Sequence, residues 1–209
     1  MDKWTAAVIQ AHAIRTTSPN MTQTVMKNDH SIFLVEVSIK ASDWRIKVSD
    51  VEALCRTCVI ASWHAAEKPI ALNIASRAAE ASVILTDDKE MAQLNKVFRA
   101  CRGPTNVLAF PALDNHSPKN IPKGAPVLLG DVVIAFGVTE REAREQSKSL
   151  ANHLSHRVVH GTLHLLGYDH ITKGDTEVME NVEKKVLAGL SISDPYTEKT
   201  DLYNLQITE

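Results

Sequence analysis

From Ser31 to Lys40 apolar and polar side chains alternate, with Phe33, Val35 and Val37 on one side. A period of two puts those residues on a single face of a pleated strand, so the pattern predicts a half-buried β-strand over 31–40. Over 49–66 the period changes. Val51, Leu54, Cys58, Val59 and Trp63 recur at the spacing of an amphipathic helix, and Ser49 or Asp50 stands where an N-cap belongs. β-Rich runs return at 81–85, 106–110 and 131–135, the last two separated by a loop containing Pro and Gly over 111–126. Helical patterns at 89–98, 139–149, 150–166 and 175–190 complete the chain, with Thr86, Asp87 and Asp88 as the start signal of the first. Helices concentrate after the last strand, which predicts an α+β fold: a small mixed four-stranded sheet packed with five to six helices. Residues 1–30 mix Ser, Thr, Asn and Gln around one short apolar run and read as an N-terminal extension, 31–194 as the single folded domain, and 195–209 as a loosely held tail.

Composition narrows the function classes. A chain of 209 residues, 44% hydrophobic, supports one domain with an ordinary core. A formal net charge of −2 argues against a protein that coats nucleic acid through overall charge, so any polyanion must meet a local patch. Three cysteines make no disulfide framework and fit a reducing compartment. Cys55 and Cys58 fall in a helical pattern with no second such pair, and read as small apolar residues on a buried helix face. No run reaches the roughly 18 apolar residues needed to cross a bilayer, and 1–30 lacks the apolar core of a secretory signal; the expectation is a cytoplasmic protein with no membrane partner.

The histidines carry the chemistry. His160, His164 and His170 are spaced H-x3-H-x5-H across a predicted helix end. Positions four apart on a helix lie nearly above one another, so His160 and His164 can reach one ion about 2.0–2.1 Å from each nitrogen. Gly167 is placed to stop the helix and let the chain turn back, bringing His170 to the same ion. The domain 31–194 is therefore expected to be a catalytic metal-binding domain, its site at the C-terminal end of a central helix. Three protein ligands leave a position open, the pattern of catalytic zinc, where the ion lowers the pKa of its bound water to about 7. His153 and His156 share the same helix face, and are expected in supporting or RNA-facing roles.

Such a site could hydrolyse a peptide, a phosphodiester or a small amide. Zinc peptidases of the H-E-x-x-H type carry a Glu base directly after the first His; here that residue is Gly161, which weakens the peptidase reading. Phosphodiester cleavage instead calls for cations facing the phosphoryl oxygens. Arg99 and Arg102 lie in a segment that could approach the histidines, whereas Arg141, Arg144 and Lys148 read as a solvated face paired with neighbouring glutamates. Asp169, beside the third histidine, reads as a turn residue satisfying its own backbone.

The stretch His160-Gly-Thr-Leu-His-Leu-Leu-Gly-Tyr-Asp-His170 resembles the signature of the YbeY-type endoribonucleases. Leu94-Asn95-Lys-Val-Phe98-Arg99 followed by Pro104-Thr105-Asn106-Val107-Leu108-Ala109-Phe110-Pro111 is similar to a second block of that family, although Ala109 stands where the family usually has Ser and Ala100-Cys101-Arg102 replaces a stretch that commonly ends in Asp. Leu129 to Ile134 and Glu142 to Glu145 agree with further blocks in the same order. The resemblance covers roughly 82–196 well and 31–81 weakly. It implies a small mixed sheet crossed by the metal helix, one Zn2+ held by His160, His164 and His170, and Arg99 as the catalytic or substrate-binding cation. It also implies a single-strand-specific endoribonuclease acting in 3′-end maturation of small-subunit ribosomal RNA and in ribosome quality control. The implied partners are ribosomal RNA and the small ribosomal subunit, with a small-subunit ribosomal protein or an assembly GTPase as further candidates. Two other readings stand beside it: a ribosome-assembly factor with a structural metal, and a metallopeptidase-like hydrolase.

Overall fold

The computed structural model describes residues 22–28, 31–67, 78–113 and 125–197. Its elements run β1 (Thr22–Asn28), β2 (Ser31–Ile39), α1 (Asp43–Lys47), α2 (Val51–Ala65), β3 (Ala79–Thr86), α3 (Asp88–Arg99), β4 (Val107–Pro111), β5 (Val127–Ala135), α4 (Phe136–Glu145), α5 (Leu150–Leu165) and α6 (Lys173–Gly189). The α+β class and the mixed sheet agree with the pattern, and the helices number six among the described residues. The four expected strands are β2 to β5. A fifth, β1, extends the sheet to the order β1-β2-β3-β5-β4. It lies inside the stretch read as an extension, paired antiparallel along β2 from Thr22 opposite Val37 to Asn28 opposite Ser31. An edge strand is held by backbone bonds on one side only, so it needs less of the apolar alternation by which strands are recognised.

β2, β3 and β5 run parallel, and β4 returns antiparallel to β5. Alternation then sorts the side chains. Val35, Val37, Val83, Leu85, Val132 and Ile134 face α2, α5 and α6, while Ile84, Val133, Leu108 and Phe110 pack on the other side against Met91 and Leu94 of α3. Helix α5 lies over the first face and buries Leu154, Val158, Val159 and Leu163 fully. At roughly 1.5–3 kcal/mol per buried aliphatic side chain, that stripe fixes the helix, and with it the height of its histidines above the sheet. Cys55 and Cys58 are buried in the same core, as expected of small apolar residues, and burial pushes the Cys58 thiol up to about 11.

Three boundaries depart from the pattern for physical reasons. The short α1 is organised by tertiary contact: Trp44 is buried and its indole N–H donates to the Thr86 carbonyl at 3.2 Å. Helix α4 starts directly off β5, three residues before its expected start, because the Asp88 carboxylate from α3 accepts the Val138 N–H at 3.0 Å. The tail is anchored at its start, where Lys148 donates to the Pro195 carbonyl at 3.0 Å and the Tyr196 hydroxyl donates to Glu183.

Candidate metal centre

Ser149 caps α5 by accepting the Asn152 N–H at 3.1 Å, and the helix ends where Gly167 adopts φ +86°. The Gly167 N–H donates to the His164 carbonyl and the Tyr168 N–H to the Leu163 carbonyl, at 3.1 and 3.0 Å. This is a Schellman closure, which needs a left-handed residue at that point. The reversal carries His170 back over the helix end, to ring-centroid distances of 5.6 Å from His160 and 5.0 Å from His164. One nitrogen from each of His160, His164 and His170 lies within 4.8 Å of the others. Asp169 keeps to its turn, accepting the His170 N–H at 2.7 Å.

The hydrogen bonds around the rings decide which nitrogens are open. His160 Nδ1 donates to Glu183 Oε1 at 2.7 Å, and His164 Nδ1 donates to the Tyr168 carbonyl at 3.0 Å. Both partners are acceptors only, since burial, which would raise the Glu183 carboxyl, is outweighed by the bonds from His156 and His160 that hold it well below the carboxylate range. Each Nδ1 therefore carries a proton, and the two Nε2 atoms, 3.2 Å apart, are the ring nitrogens turned toward a shared partner. Burial, with the neighbouring imidazoles His160 and His170, lowers His164 to about 4 and keeps it neutral. Two imidazole nitrogens at that distance can share one cation. Two nitrogens about 2.0–2.1 Å from one tetrahedral ion would stand roughly 3.3–3.4 Å apart, close to the observed separation. The donor set fits a divalent metal, with carboxylate and carbonyl behind the imidazoles as such sites require.

The other two histidines of α5 are inward. His153 Nε2 lies 2.8 Å from Glu142, and His156 Nε2 donates to Glu183 at 3.0 Å while its Nδ1 accepts from Arg157 at 3.2 Å. Both are buried, which rules out an RNA-facing role, and of the two only His156 is bonded to a partner of the triad, Glu183. Burial drives His156 down to about 4. Glu142 also accepts from Asn106 at 2.9 Å, and these bonds outweigh its burial to hold its carboxyl low.

The triad opens on a groove of about 790 Å³ whose walls include Phe98, Arg99, Thr105 and Asn106 together with His160, His164 and His170. Arg99 is the last residue of α3, and its exposed side chain shares this groove with the histidines. Arg102 is exposed and does not line it. Arg144 lies 3.5 Å from Glu140, as a solvated face predicts, whereas Arg141 lies 3.8 Å from Asp88 of α3 and Lys148 bonds Gln146 and the Pro195 carbonyl rather than a glutamate. Gly161 points at the sheet: an added Cβ would lie 2.5 Å from Val132 Cγ1. No side chain fits there, so a peptidase-type base after the first histidine is sterically excluded.

The family model for endoribonuclease YbeY matches residues 36–191. A protein named endoribonuclease YbeY in Paramagnetospirillum magneticum is 41% identical over 165 residues, covering 79% of this chain and 96% of its own length. Those of Parvibaculum lavamentivorans and Rhodopseudomonas palustris are each 43% identical, covering 78% and 77% of this chain and 84% and 80% of their own lengths. The chain belongs to the endoribonuclease YbeY family. Membership makes it a hydrolase and a nuclease. It also accounts for the two sequence blocks meeting here: the block ending in Arg99 and the histidine block, far apart in the chain, form two walls of one groove in this YbeY fold. The sequence reading missed Glu183, Asn106, Arg157 and Tyr196. For Glu183 a signal existed, a lone carboxylate within the buried stripe Met179, Glu183, Val186 and Leu187 of α6.

Proposed function

We propose that this chain is a zinc-dependent endoribonuclease that cuts single-stranded RNA during 3′-end maturation of small-subunit ribosomal RNA and in ribosome quality control, in the cytoplasm and on the small subunit. His160, His164 and His170 hold the ion, and Arg99 is the catalytic cation. The observation that carries this reading is the pair of Nε2 atoms 3.2 Å apart at the floor of a groove that also contains Arg99. An ion bound there supplies Lewis-acid polarisation of a phosphoryl oxygen and lowers the pKa of water to about 7. Glu183 and the Tyr168 carbonyl fix the tautomers of His160 and His164, so the ligand nitrogens need no reorganisation. Arg99, exposed in the groove wall, offers its guanidinium to the negative charge that builds on the scissile phosphate. The reading as an assembly factor with structural metal is less well supported, because structural zinc has four protein ligands and the cluster among the described residues has three. No helix among the described residues is long and apolar enough to cross a membrane.

The test is cleavage of a single-stranded RNA spanning the 3′ end of small-subunit ribosomal RNA by ion-loaded wild type and R99A. Wild type is expected to leave 3′-hydroxyl and 5′-phosphate ends. R99A should lose about 10²- to 10³-fold in turnover, the cost of one charge-stabilising donor, with a smaller loss of affinity. Loaded wild-type protein that leaves the RNA intact would overturn the proposal, and R99A at full turnover would remove Arg99 from the chemistry.

A further inference from the structure

A second, smaller cavity of about 350 Å³ lies beside the groove and shares His160 and His170 with it; its walls also include Arg157, Glu180 and Tyr196. Arg157 lines both cavities. On α5 it stands three and seven residues before His160 and His164, on the stripe that carries both ligands. Among the described residues no carboxylate lies within ion-pair distance of it. Its one hydrogen bond donates to His156 Nδ1 at 3.2 Å, and its Nε is buried with no partner. A guanidinium has five N–H donors in a fixed fork, so the single bond to His156 leaves donors for an anion entering the cavities that Arg157 lines. His156 holds one arm of the fork, and His156 is itself tied to Glu183, the carboxylate that orients His160. The cation is thus positioned by the same network as the ligand. Glu180, on the wall of the smaller cavity, repels phosphate and leaves Arg157 as the surface on which phosphate can settle.

Resting on the endoribonuclease reading above, we infer that Arg157 binds an RNA backbone phosphate neighbouring the scissile one, so that the strand runs from the Arg99 groove across the triad into the smaller cavity. Arg99 then acts on the phosphate being cleaved and Arg157 on its neighbour, and the two residues separate in kinetics: Arg99 governs turnover, Arg157 affinity.

The experiment compares wild type, R157Q and R157K, with ion content and thermal unfolding recorded for each, using a single-stranded RNA made resistant to cleavage by a phosphorothioate linkage at the cut site, with intact substrate checked at the end of each titration. R157Q is expected to bind about tenfold more weakly, and its slope of log affinity against log salt should fall by about 0.7, the release expected for one lost phosphate contact on a single strand. A scan placing one neutral methylphosphonate at each linkage locates the contact. One position next to the cut site should weaken wild type about tenfold and leave R157Q unchanged. Should R157Q lose the ion, R157K carries the same scan, and is expected to show a reduced penalty at that position because an ammonium cannot grip two oxygens. Equal penalties for wild type and variant at every linkage overturn the inference. Wild type that fails to bind or cut the parent RNA overturns the endoribonuclease reading instead, so the two failures are distinct.

Discussion

Helix α5 carries two pairs of histidines that differ in what their second nitrogen meets. His153 and His156 are buried, with Nε2 engaged by Glu142 and Glu183. His160 and His164, one and two turns further on, have Nδ1 engaged and Nε2 directed at each other on the groove floor. The residue type is the same and the helix is the same. What makes one pair able to hold an ion is the position of the acceptor, which accepts a hydrogen bond from Nδ1 and turns Nε2 toward the shared space. Of the buried pair, His156 alone reaches the open one, through the carboxylate that it shares with His160.

The sharpest way to break that contrast is His164→Ala. It should abolish stoichiometric ion binding and RNA cleavage while the chelator-treated variant still unfolds cooperatively, read by elemental analysis, an RNA assay and circular dichroism. Retained ion would assign the metal elsewhere. Glu183→Gln should have the next largest effect, a 10- to 100-fold loss in ion affinity by calorimetric titration, since the amide group confronts donors from His156, His160 and Tyr196. Undiminished affinity would mean the carboxylate does not orient the ligand.

Acid should act on both pairs at once. Burial holds His156 and His164 at about 4, against 6.5 for an unperturbed imidazole. The unfolded chain takes up protons through pH 6.5 that the folded chain refuses until about pH 4, so stability of the chelator-treated protein falls as pH drops through that window. Glu183, held low, adds a further loss below the ordinary carboxylate range. Urea midpoints across these pH values check the sign, and a flat profile would contradict it. The smallest effect on the ion is expected from His153→Gln, which keeps a group able to meet Glu142. Ion affinity should stay within about twofold while imperfect replacement of the buried bond costs about 1–3 kcal/mol in unfolding free energy. A large loss of ion from this variant would erase the distinction between the pairs.

What could be read from the chain was what is local. His160, His164, Gly167 and His170 lie within a single helix end, where periodicity and a stop signal dictate the geometry, and the main strands and helices announce themselves through periods of 2 and 3.6. Glu183 could not be assigned to His160 because the contact spans 23 residues and two helices, although its place in an apolar stripe marked it as unusual. The start of α4 was misplaced because its N-terminal acceptor, Asp88, comes from another helix. The β1 edge escaped notice because backbone pairing on one side leaves little trace in side-chain alternation. Arg99 carries no local mark of the role proposed for it, and only its neighbouring block singles it out.

The close approach of Gly161 to Val132, with Val107 next nearest, ties the freedom of three positions together. A methyl group at 161 would lift α5 away from the sheet and tilt the ligand nitrogens with it. Room for a larger residue on the helix at that point has to come from a smaller one beneath it, so the level of the site is set by the strands under it.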